Sequence, residues 1–357
     1  MRLSDARGRR GLIGGIALLV LLVAIGVGAL VGGSGDDAPA AAARTTATMP
    51  PAVTPAGEPP TAHDDSEPTE PEAPATVRTA ATTTTTTTTA RSPRPALQRA
   101  ATAAARAGGA GTGAAVGTIG PGTVVRAGTL QVTHAWSSSK VPVLSAVLRA
   151  RRAGELRGGR TPTASERSLA TRALTASDNE AALGLFAELE QAFGGVDGAS
   201  SKVEEALTAG SGRAIAVNRQ RRGSFTTFGQ TQLRLTDGVR FYGGLAGSCV
   251  LGSEDTRFVL GLMRRVEGGQ RWGLGTPAWG ATIGFKGGWG PEAGGRYVAV
   301  QYGVLRRGSR GVAVAIAADA RGGLEAVTPK LTAMARALQR SLPVSRWPAL
   351  PKTCPGG

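Results

Sequence analysis

The chain of 357 residues holds only two cysteines, Cys249 and Cys354, and two histidines, His63 and His134. A four-ligand zinc site or an iron–sulfur cluster needs more thiol and imidazole groups than these, so metal chemistry of those kinds is excluded and no cofactor is expected. Aromatic residues make up 4%, and lysine is scarce, five residues against 36 arginines. The hydrophobic share of 41% is enough for a core. Much of the Thr, Ala and Pro lies before residue 113, however, which excludes one globule spanning the whole length.

Charge is as unevenly placed. Residues 1–100 contain nine Arg and nine acidic groups, so the formal excess of +16 falls entirely on 101–357, with 32 basic against 16 acidic residues. Such a surface suits nucleic acid, anionic lipid or an anionic wall polymer, and topology separates these. Residues 12–31 form an uncharged run of the length that crosses a hydrocarbon core as a helix. Arg2, Arg7, Arg9 and Arg10 precede it against Asp5, so the positive-inside rule makes 1–11 a basic cytoplasmic tail and places everything after Val31 outside. The membrane is then a partner through this transmembrane helix, and nucleic acid is not. Small residues near Ala38 and Ala40 and the Arg9-Arg10 pair support the alternative, secretion after signal cleavage; the length of the run favours an uncleaved anchor.

Residues 32–111 combine an acidic Pro-rich stretch (63–72), eight consecutive Thr (82–89) and a basic Ala-rich segment. Without a sustained apolar period they are expected to be a disordered linker, with His63 a solvated bystander. Residues 112–342 have the size of one domain, followed by a Pro-rich tail, 343–357. Both cysteines lie beyond the span, where a disulfide fastening that tail is allowed; two separate thiols are the alternative.

Within the domain, 114–119 and 123–127 read as strands around Gly120-Pro121-Gly122. Val141, Leu144, Val147 and Leu148 share a helical face; Thr163 and Glu166 can form a capping box; 181–193 reads as another helix. Strands are expected at 282–285, 297–305 and 312–318, then a helix capped by Thr328 with Pro329 at its first position. The pattern predicts an α+β domain with an antiparallel sheet flanked by helices.

Three short motifs fall on these elements. Ser137-x-x-Lys140 opens the first helix, where a spacing of three brings amine and hydroxyl to one face. Ser177-Asp178-Asn179 lies between two helices, and Lys286-Gly287-Gly288 on a strand after the helical middle. Each motif alone is weak; an ordinary helix cap, a capping turn and an edge-strand charge are the plain alternatives. Their order and element types together resemble the set of class A β-lactamases and penicillin-binding proteins, over residues 112 to 342 and including Arg271-x-Gly-x-Gly-x-Pro277. The resemblance implies a β-lactamase-like fold, here with a trimmed helical subdomain because the segment from Ser137 to Ser177 is short. It makes Ser137 the nucleophile, Lys140 its proton acceptor, Ser177 a relay to the leaving nitrogen and Lys286 a source of positive potential. Asn179 would bind the substrate amide, and the backbone N–H groups of Ser137 and Trp289 would form the oxyanion hole beside Gly287 and Gly288.

Two departures limit what the resemblance implies. Gly287 stands where many relatives carry a hydroxyl for the substrate carboxylate. No Asp or Glu occurs from Leu207 through Thr236, the region where class A enzymes place the Glu that activates deacylating water. Arg213, Arg219, Arg221, Arg222 and Arg234 fill it instead, as an exposed basic loop or as readers of a carboxylate. His134 either tunes Ser137 or is satisfied locally. The expectation is a membrane-anchored, extracytoplasmic serine acyl hydrolase or transferase of D,D-peptidase or penicillin-binding type. It would act on a peptidoglycan peptide or β-lactam amide with slow deacylation; the alternative is a catalytically weak or inactive wall-binding module. On this topology, protease added to intact cells is expected to clip the Thr-rich linker and release a soluble domain. Protection until the membrane is broken would reverse the orientation.

Overall fold

The computed structural model describes residues 92–351 and Cys354. The basic tail, the apolar run 12–31 and the linker through residue 91 lie outside the described residues. Among the described residues no helix is long and apolar enough to cross a membrane.

Five strands, β1 (Thr112–Thr118), β2 (Val124–Gly128), β5 (Thr282–Glu292), β6 (Arg296–Arg307) and β7 (Arg310–Arg321), form an antiparallel sheet in the order β2-β1-β7-β6-β5. A two-stranded ribbon pairs β3 (Val132–His134) with β4 (Gln232–Arg234). The alternation of side chains along β7 shows how the layers arise. Val312, Val314, Ile316 and Ala318 face one way, into a cluster with α1 (Arg94–Gly108) and α8 (Leu324–Ser341). Ala313, Ala315 and Ala317 face the other way, toward α2 (Lys140–Ala153), α3 (Ala164–Thr175), α4 (Asn179–Phe193), α5 (Val196–Ser211), α6 (Leu235–Ala246) and α7 (Ser253–Arg264). Alanine on that face lets α6 lie close to the sheet, where its Gly238 meets the Tyr302 ring.

The local signals at α3 are realised: the Thr163 hydroxyl accepts from Glu166 N–H and the Glu166 carboxylate from Thr163 N–H. Several boundaries differ from the sequence reading: the strand expected at 282–285 runs on to Glu292, and those expected at 297–305 and 312–318 extend to Arg296–Arg307 and Arg310–Arg321. Residues 94–108, expected within the linker, form α1, because Leu97, Ala100, Ala101 and Ala104 lie one turn apart and are fully buried beside α8. The closing helix starts at Leu324, not at a Thr328 cap; Gly322 and Gly323, at φ 100° and 82°, turn the chain one turn earlier and bury Val327, and Pro329 sits inside the helix. The C-terminal residues pack on the domain: Trp347 is 2% exposed and Cys354 is bonded to Cys249, with Cα atoms 5.3 Å apart. This is the pairing the compartment argument allowed.

If α1 is part of the core, Leu97→Ala should destabilise the domain by about 2–5 kcal/mol in urea unfolding, the usual range for truncating a buried leucine. A neutral result would return residues 94–108 to the linker.

Candidate active site

Ser137 lies in a 3-10 turn, Trp136–Ser139, immediately ahead of α2 rather than inside it. Trp136 holds φ 47°, a left-handed conformation that costs a bulky residue on the order of 1–3 kcal/mol. Its surroundings hold it there. Gly290 of β5 leaves room for the indole, since a Cβ at 290 would lie 2.4 Å from the ring, and Phe225 meets it edge-on at 5.0 Å. The Ser138 and Ser139 hydroxyls donate to the carbonyls of Ala135 and Trp136 at 2.5 Å, and the buried Tyr242 hydroxyl donates to Ser138 O at 2.9 Å. The turn is thereby fixed, with Ser137 half-buried at the cleft.

The other two motifs arrive from the α3–α4 junction and from β5. Asp178 caps α4 by accepting from Ala181 N–H, while Ser177 takes φ 62°, a second strained non-glycine residue in the site. Lys140 Nζ lies 3.0 Å from Ser137 Oγ, 2.5 Å from Ser177 O, 2.8 Å from Asn179 Oδ1 and 3.3 Å from Ser177 Oγ. Lys286 Nζ reaches Ser177 Oγ at 2.9 Å and Gly287 O at 3.0 Å. The structure thus joins Ser137, Lys140, Ser177, Asn179 and Lys286 in one hydrogen-bonded chain. Burial lowers the Lys140 pKa to about 8, against the upward pull of Asp178. Lys286 is held well below its ordinary value, by burial first and by the Lys140 charge second.

Gly288 packs against the turn so closely that a Cβ there would lie 2.3 Å from Ala135 O and 2.9 Å from Ser137 N. Trp289 follows in the strand and lines the cleft beside Ser137. A Cβ at Gly287 would meet Trp272, Trp289 and Gln301 at 3.5–3.6 Å, an ordinary contact distance, so packing alone does not require glycine there. The cleft, of about 280 Å³, is walled by Trp136, Phe225, Trp289 and Tyr297 around Ser137, Ser177 and Asn179. No Asp or Glu is among the described residues lining it.

Of this aromatic wall the sequence reading assigned Trp289 to the site; Trp136, Phe225 and Tyr297 were not assigned because they are scattered through the chain. The Arg-rich loop divides: Arg219 pairs with Glu204 at 2.7 Å, Arg222 lies over Trp136 and Phe225 at 5.7 and 5.4 Å, and Arg213 and Arg234 line a separate groove beside β2. His134 takes the local role, with Nδ1 2.6 Å from Glu292 Oε1 and Nε2 2.7 Å from Gln232 Nε2.

These contacts predict opposite outcomes for adjacent glycines. Gly288→Ala should push β5 from the turn, lowering thermal stability and blocking modification of Ser137, whereas Gly287→Ser should fold with nearly unchanged stability. Equal tolerance at both positions would contradict the packing described.

No family model matches the chain, and no curated protein matches it. Solved structures do. A β-lactamase from Sphaerobacter thermophilus is 19% identical with a TM-score of 0.52, covering 68% of this chain and 97% of that one. A β-lactamase from Xanthomonas campestris is 18% identical with a TM-score of 0.52, covering 70% and 97%. The TLA-3 extended-spectrum β-lactamase is 14% identical with a TM-score of 0.52, covering 65% and 93%. At these identities the likeness establishes the architecture alone: the domain that carries the three motifs has a β-lactamase-like α+β fold.

Proposed function

We propose that the domain is a serine acyl hydrolase or transferase of the β-lactamase and penicillin-binding type, held outside the membrane by residues 12–31. Ser137 would form an acyl-enzyme on a wall-peptide or β-lactam amide and release it slowly. The supporting observation is the chain Ser137–Lys140–Ser177–Lys286, in which one hydroxyl lies 3.0 Å from an amine whose pKa has fallen to about 8.

In the first step Ser137 Oγ bonds to the substrate carbonyl carbon and its proton passes to neutral Lys140 Nζ. The tetrahedral oxyanion would be met by the backbone N–H groups of Ser137 and Trp289. When the carbon–nitrogen bond breaks, the leaving nitrogen takes the Ser177 proton, and Lys140 or Lys286 restores it across 3.3 or 2.9 Å. Asn179 Oδ1 accepts from Lys140, so its amide Nδ2 is the group that would donate to a substrate carbonyl. Deacylation is the weak step. Among the described residues the cleft lining offers no carboxylate to activate water, and a positioned general base is worth about 10²- to 10⁴-fold.

Lys140 must be neutral to act, and its neutral fraction grows as pH rises through about 8. Acylation should therefore increase up to tenfold per pH unit below that value and level off above it. Lys140→Arg, which keeps the charge but cannot surrender its proton, should slow acylation by about 10²- to 10⁴-fold. The direct test is intact-protein mass spectrometry with a labelled penicillin, beside a chromogenic cephalosporin followed by stopped flow. Stable mass addition at Ser137, absent in Ser137→Ala, and a burst followed by a very slow phase are expected. Label on another residue would remove the nucleophile assignment, and rapid multiple turnover would remove slow deacylation.

A further inference from the structure

A groove of about 540 Å³ runs along β2, the edge strand opposite the one that carries Lys286. Five arginines converge on it from separate parts of the chain. Arg94 comes from the start of α1, Arg126 from β2, Arg213 from the loop after α5, Arg234 from the end of β4 and Arg240 from α6. One carboxylate, Asp237, shares the lining, 3.9 Å from Arg213 and 3.8 Å from Arg240. Arg94, Arg126 and Arg234 have no ion pair among the described residues, and all three are exposed. α6 begins at the groove without a side-chain cap, so the positive end of its dipole adds potential there.

Five like charges facing one another across a groove repel, and a folded surface ordinarily disperses or pairs them. Arginine binds planar oxyanions in a two-pronged fashion. Among the described residues the lining contains no Phe, Tyr, Trp or His to stack on a base, and such stacking is how single-stranded nucleic acid is usually held. We propose that this groove binds a linear, non-aromatic anionic polymer through repeated phosphate or carboxylate groups. It is a second site, at the opposite edge of the sheet from Ser137, and it does not depend on the acyl-transfer reading. Its role would be to hold the domain on an anionic matrix while the catalytic cleft stays open.

The test is titration of the full chain, in detergent micelles, with fluorescent inorganic polyphosphate at 50 and 200 mM salt. Neutralising four phosphates predicts binding roughly 50-fold weaker at the higher salt, at about 0.7 in log–log slope per phosphate. Arg126→Ser combined with Arg234→Ser should lower that slope by about 1.4 and weaken binding, with thermal stability recorded to show the variant is folded. Arg306→Ser with Arg307→Ser, on β6 outside the groove, should leave binding nearly unchanged. A parallel titration with polygalacturonate separates phosphate from carboxylate recognition, and groove-dependent binding of either polymer supports the proposal. It would be overturned by no binding of either polymer at 50 mM salt, or by binding indifferent to the groove variant. Tighter binding of an oligothymidylate of equal charge would also overturn it, because the bases would then be read.

Discussion

Two lysine side chains, Lys140 at 1% exposure and Lys286 at 0%, share the hydroxyl of Ser177, and the rest of the site depends on how that burial is tolerated. Taking an ammonium out of water costs several kcal/mol even after relaxation, so a protein that buries two must surround them with acceptors or let them lose protons. Here both occur. The Ser177 and Gly287 carbonyls, the Asn179 side-chain carbonyl and two serine hydroxyls receive the amines, and both pKa values fall. In the proposed reaction, Lys140, with its pKa lowered to about 8 beside the half-buried Ser137, would be the base for the first step.

That arrangement places demands on the scaffold. Ser177 must turn its carbonyl and hydroxyl toward the lysines, and it does so at a positive φ which Asp178, capping α4 immediately afterwards, helps to hold. Trp136 must deliver Ser137 from the opposite side, also at a positive φ, wedged between Phe225 and Gly290. Strain at Trp136, next to Ser137, and at Ser177 itself persists because the sheet and the helical half over-determine both. β5 supplies the remaining constraint, since its glycines at 288 and 290 allow it to press on the turn.

The same architecture accounts for the departures. Gly287 lies where a side chain would fit, beside Trp272 and Trp289, so packing does not impose the glycine there. The loop facing the cleft contributes Phe225 to its aromatic wall, with Arg222 lying over Trp136 and Phe225, and no acid. Arg213 and Arg234, from the same stretch of sequence, serve a different surface altogether.

The α+β architecture and the three motifs that meet in the cleft were legible in the sequence alone. A capping box, strand alternation and serine–lysine spacing are local signals, read within one element. It also showed that Leu207 through Thr236 hold no carboxylate, because composition needs no coordinates. What it misjudged were residues whose state is set by distant partners. The Ala-rich stretch 94–108 resembles linker until α8 and the sheet cover its Leu97 and alanines, and helix α8 starts early because Val327 finds a buried place. That Lys140 and Lys286 meet at one hydroxyl, the second of them 109 residues from Ser177, follows from the folded arrangement. It alone gathered Trp136, Phe225, Trp289 and Tyr297 into one cleft and five arginines into another groove. Burial, and with it every shift in proton affinity, comes from contacts between elements far apart in the chain, and neither spacing nor composition encodes those contacts locally.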